Sequence, residues 1–163
     1  MQWVLPVYPL EKREENLDCA HLVPFSLLHA FHMLPVHRSP TSGVLHVAFS
    51  SRVDYTALYA IEQMLEWRTE PCVAQESYIE RVLERLRQEG GSTDIPIVGP
   101  MEPSVISRAT LQEVLKFGTQ EVRVVGCANN IWVRLHAPNQ ARDLLFHPAA
   151  ADSVPTQEQS KIL

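Results

Sequence analysis

The sequence predicts an α+β fold. A small sheet with helices packed on one face, in the order α-β-β-α-β-α, is followed by a small unit of one helix and antiparallel strands. Three observations lead there. Two short apolar runs, Met33 to His37 and Val44 to Phe49, flank Arg38-Ser39-Pro40-Thr41-Ser42-Gly43, where Pro and Gly punctuate a turn. Two later stretches carry apolar residues at the spacing of one helix face. Gly90-Gly91-Ser92-Thr93-Asp94, with Pro96, Pro100 and Pro103 behind it, then breaks the pattern before it resumes.

The elements follow in order. Residues 1–22 mix prolines with the charge run Glu11-Lys12-Arg13-Glu14-Glu15 and read as an N-terminal arm with a short turn, Trp3 and Tyr8 packing on the body. Pro24 suits the first turn of a helix, where its missing N–H costs nothing. Phe25, Leu28 and Phe31 or His32 recur at helical spacing over about three turns, until Pro35 stops the helix. The two apolar runs then form a hairpin. Asp54 can cap the next helix by accepting from a free backbone N–H, and Ala57, Leu58, Ile61, Met64 and Leu65 share one face of it. Pro71-Cys72-Val73-Ala74 reads as a third strand, with Pro71 at its beginning or on an edge. A connection from Val44 to Ala74 is long enough for a right-handed crossover. Gln75 or Ser77 opens a helix striped by Ile79, Val82, Leu83 and Leu86.

Residues 23–90 thus form the first domain and 91–103 a Pro/Gly linker. The second unit is 104–148. Its helix points Ile106, Thr110 or Leu111, Val114 and Leu115 inward and stops at Gly118. Strands follow at Glu121 to Gly126 and Ile131 to His136, with Leu144-Leu145-Phe146 as a third. Ile131, Val133 and Leu135 alternate with Trp132 and Arg134, the period of a half-buried strand. Residues 149–163, rich in Ala, Ser, Pro and Gln, read as a flexible tail.

Composition narrows the function. A net charge of −5 argues against nucleic acid, because phosphate binding needs a concentrated basic stripe. Arg81, Arg85 and Arg87 are interleaved with Glu80, Glu84 and Glu89, the pattern of a solvated helix face. No apolar run approaches the ~20 residues that span a bilayer, so contact with a membrane would run through a protein. Cys19, Cys72 and Cys127 are odd in number and widely spaced, which suggests neither a disulfide framework nor a zinc site. A reduced, cytoplasmic setting follows.

No residue set makes an active site. His29 and His32 lie at i, i+3 on one helix, with His21, His37 and His46 near in sequence, but no acidic or thiol ligand joins them at helical spacing. Nothing near Cys72 or Cys127 lowers a thiol pKa, so both read as small buried hydrophobes. Glu62, Glu66, Glu80 and Glu84 sit opposite the apolar stripes, where general-acid work would need an apolar cleft. Trp67 and Trp132 read as core or interface anchors. Catalytic, cofactor-binding and metal-ligating residues are therefore none, partner-binding residues are unknown, and no cofactor is expected.

Leu34-Pro35-Val36, Gly43-Val44-Leu45-His46-Val47-Ala48, Asp54 to Leu65, Pro71 to Ala74 and Ser77 to Leu86 together resemble the N-terminal domain of the type II secretion and type IV pilus assembly ATPases, the GspE-like family. The short apolar motifs gain weight from their order and spacing. Gly118 to Val124 and Ile131 to Leu135 are more weakly similar to the small domain that precedes the nucleotide site in those ATPases. There alternating arginines and an Asp-Gly turn end the strand; here Arg134 is followed by Leu-His-Ala-Pro. No G-x-x-x-x-G-K-[ST] occurs, so these 163 residues hold no motor and no enzyme is expected. Some relatives bind cyclic di-GMP through a doubled R-L-G motif, which is absent, so that ligand is not expected. The resemblance implies a non-catalytic adaptor, cytoplasmic and peripheral to the inner membrane, docking on a secretion or pilus platform component. The alternative is a nucleotide-sensing module with a diverged site.

Overall fold

A computed structural model describes residues 5–7, 17–90 and 94–149. Trp3, Tyr8 and the tail beyond residue 149 lie outside the described residues. After a 3-10 helix, Leu17–Leu22, comes α1 (Phe25–Phe31). Pro24 occupies its N-cap position but brings no side-chain cap. The first turn is capped from a distance instead: the Ser26 N–H and hydroxyl donate to Asp94 Oδ2 at 3.2 and 2.7 Å. At seven residues α1 is nearer two turns than the expected three, because His32 takes a left-handed conformation (φ 49) and ends the helix before Pro35 is reached.

The hairpin forms as expected. β1 (Met33–Arg38) and β2 (Leu45–Phe49) pair antiparallel, with Leu34 opposite Ala48 and an irregularity between Pro35 and His37. Pro35 has no N–H to donate, which suits a broken register there. In the turn the Gly43 N–H donates to the Ser39 carbonyl at 2.9 Å, and φ +70 at Gly43 favours glycine. α2 (Tyr55–Leu65) is capped as the sequence indicates, the Ala57 N–H donating to Asp54 Oδ1 at 3.0 Å. β3 (Thr69–Val73) runs parallel to β2, making β2-α2-β3 a crossover. The sheet order β1-β2-β3 puts Pro71 on an edge strand, where a lost ladder donor is tolerated. α3 (Glu76–Gln88) buries Ile79, Val82, Leu83 and Leu86, the expected stripe.

The linker expectation at 91–103 needs correction. Ile95–Gly99 form a strand, β4, which pairs parallel with a strand much later in the chain, Ile95 lying opposite Leu144. Alternating Ile95 and Ile97 supply the apolar face that packs on the core below and holds the strand in place. α4 (Pro103–Phe117) ends at Gly118 in the left-handed conformation. β5 (Glu121–Cys127), β6 (Asn130–Ala137) and β7 (Gln140–Pro148) complete a second sheet of order β4-β7-β6-β5. The chain is thus an α+β protein with two small sheets and four α-helices among the described residues.

The second sheet is buried on both faces at its centre, so β6 is not the half-buried strand its alternation implied. Val133, Leu135, Leu144 and Phe146 face α4. From the opposite pleat Trp132, Leu145 and Cys127 join the core of the first sheet, and α2 packs on β5. One core therefore runs through both halves. Within it lies a buried polar group: Arg134 donates from Nε and Nη2 to the two oxygens of Asp143 at 2.7 Å each. Its Nη2 also donates to the Leu22 carbonyl at 2.7 Å, and Trp132 Nε1 donates to Asp143 Oδ1 at 2.8 Å. The network ties β6 and β7 to the 3-10 helix of the first half.

Candidate functional site

α4 has fifteen residues and buries none of them fully. Its apolar residues are too many for one stripe, since Ile106, Ala109, Val114 and Phe117 already pack on the sheet. Leu111 and Leu115, expected to point inward, are 58% and 77% exposed instead. The reason lies underneath. The small core below α4 draws on β4, β6 and β7 but on no residue of β5. The helix leans toward one side of the sheet and leaves Val122 and Val124 of β5 uncovered, 41% and 62% exposed. Between helix and strand runs a groove of ≈ 540 Å³, floored by Ile131 and Val133 and walled by Met101, Ile106, Leu111 and Val124. No charged residue lines it. Its polar side chains are the neutral Ser107 and Thr110, and it holds no charge to attract a phosphate or move a proton. It can bury apolar side chains, at about 25 cal/mol per Å² removed from water.

The residues singled out from sequence do not gather there. Cys72 and Cys127 are buried, and burial pushes their thiols up to about 11 and about 12, the reverse of what a nucleophile needs. Burial also raises the thiol of half-buried Cys19. Glu62 is structural: Oε1 accepts from the Thr69 N–H at 2.7 Å and from its hydroxyl at 3.0 Å. Glu66 meets Arg123 at 3.1 Å, across from α2 to β5. Arg87 holds the Glu84 carboxylate through two hydrogen bonds and lowers it to about 2. His37 and His46 stack, with ring centroids 5.8 Å apart. Trp132 is a core anchor, and Trp67, partly buried, carries the Arg38 guanidinium 3.8 Å above its ring. Arg134 is spent on Asp143. The groove was missed because helical periodicity says which residues share a face but not how wide a sheet lies beneath them. The surplus of apolar residues on α4 was the available signal.

The family model of the MshEN domain matches residues 3–93, more than half of the 163. The chain belongs to this family, the N-terminal domain of GspE/MshE-type secretion and pilus ATPases, which bears out the resemblance read from its sequence. No curated protein matches it. Among solved structures, one described as "Structure of MshE with cdg" is 26% identical over 50% of this chain, with a TM-score of 0.41. The match covers 58% of that chain. That finding corrects the expectation that cyclic di-GMP is an unlikely partner, since the relative is a complex with it. A missing linear motif excludes one way of holding a nucleotide and no more. Among the described residues, no helix is long and apolar enough to cross a membrane.

Proposed function

We propose that this chain is a non-catalytic docking module that binds a polypeptide of the inner-membrane secretion or pilus platform on its cytoplasmic side. The observation that carries the reading is the uncovered groove between α4 and β5, with Leu111, Val122 and Val124 of its lining left to solvent and Leu115 exposed one turn further along α4. A lining without charge selects the occupant by chemistry: a segment presenting two or three large apolar side chains, such as one face of an amphipathic helix. No cation in that lining would hold a nucleotide's phosphates. Membership of the family supports the system in which the partner is sought.

The test is a pull-down from detergent-solubilised membranes with wild-type protein and with Leu115→Asp and Val124→Asp. Recovery of a platform protein by the wild type alone supports the reading. Equal recovery by all three moves the interface elsewhere, and a clean lane with folded wild type overturns it. Self-association through the groove would appear as a dimer in light scattering that either substitution dissolves. Cyclic di-GMP, the ligand of the solved MshE structure, is offered to the same proteins by calorimetry at tens of micromolar. Heat that persists in Leu115→Asp would make this a nucleotide-binding module instead.

A further inference from the structure

A second constellation lies where α1 meets α3. His32 ends α1, and its left-handed backbone turns the side chain toward the neighbouring helix. Glu76 opens α3 and Glu80 follows one turn later, so both carboxylates stand on the same helix face. The ligand atoms of His32, Glu76 and Glu80 all lie within 4.8 Å of one another. His29 and His32 had found no acidic companion in their own helix; the fold brings two from another. A pocket of ≈ 430 Å³ lined by Phe25, His29, His32, Glu80 and Arg87 opens beside them.

The three donors converge yet satisfy nothing. Among the described residues none of their side chains makes a hydrogen bond or an ion pair. The adjacent cation is taken, since Arg87 is held by Glu84. Two carboxylates at i, i+4 repel each other unless a cation sits between them. One imidazole nitrogen and two carboxylate oxygens are the donor set of a borderline divalent cation, with water in the remaining positions. Bonds of about 2.1 Å in a tetrahedral site place ligands roughly 3.4 Å apart, so the side chains must draw in by up to about 1.4 Å from their 4.8 Å limit. Glu76 and Glu80 are exposed and free to do so.

We propose that His32, Glu76 and Glu80 bind a divalent transition-metal cation of the zinc class, which clips the end of α1 to the start of α3. The site is independent of the docking groove. The test titrates ZnCl₂ into chelator-treated full chain and follows heat and thermal midpoint. One equivalent should bind and raise the midpoint, and Glu76→Gln and Glu80→Gln should each weaken binding at least tenfold while leaving the metal-free midpoint unchanged. His32→Gly relieves a positive φ, so it should keep or raise the metal-free midpoint and abolish the zinc effect. Cobalt(II) in place of zinc should show ligand-field bands without thiolate charge transfer, which sets this site apart from binding at cysteine. No saturable heat, unchanged affinity in both glutamine variants, or a thiolate band would each overturn the assignment.

Discussion

Arg134 is 7% exposed, and its charge is tolerated because Asp143 and the Leu22 carbonyl take its donors. Asp143→Ala strands that charge in the core and should cost about 3–5 kcal/mol in urea unfolding. Replacing both partners with apolar residues of similar volume should recover most of the loss. The buried thiols give a pH signature. In the unfolded chain they ionise near ~8.5, whereas in the fold Cys72 and Cys127 hold their protons to about 11 and about 12. Above the unfolded value the native state therefore binds more protons, and stability falls as pH rises. The contribution is complete below ~8.5 and is lost through the folded values, so the urea midpoint should drop between pH 8 and pH 11. Cys127→Ala should flatten that slope.

At the scale of elements, what was legible followed from local chemistry. The hairpin around Gly43, the Asp54 cap and the stripe of α3 depend on residues close in sequence, and the fold has all three. What was not legible depended on distant partners. β4 looked like a linker because Pro96, Gly99 and Pro100 hide a strand that exists only by pairing with β7. The cap on α1 comes from Asp94, 68 positions away, and Asp94→Ala should lower stability by about 1 kcal/mol with the loss seen first at α1 by hydrogen exchange. The groove was illegible for the same reason: Leu111 and Leu115 carry an inward pattern, but β5 beneath them is left uncovered. Because they are exposed, Leu115→Asp and Val124→Asp should change stability by no more than about 0.5 kcal/mol, which circular dichroism melts can check.

Across the whole molecule the division after residue 90 is one of topology. Trp132, Leu145 and Cys127 of the second sheet complete the core of the first, and we propose that the two units fold together. Tryptophan fluorescence and far-ultraviolet circular dichroism should then report a single coincident unfolding transition; two separated transitions would make the units independent. The groove stays open at the surface of that shared body, which is where a partner can reach it without unfolding anything. The most direct test places a photo-crosslinking amino acid at position 115 of the full chain in cells, with the exposed position 88 on α3 as control. The account predicts an adduct from position 115 to an inner-membrane component of a secretion or pilus platform, lost in Val124→Asp and absent from position 88. No adduct from 115 in folded protein, or the same adduct from both positions, would contradict it.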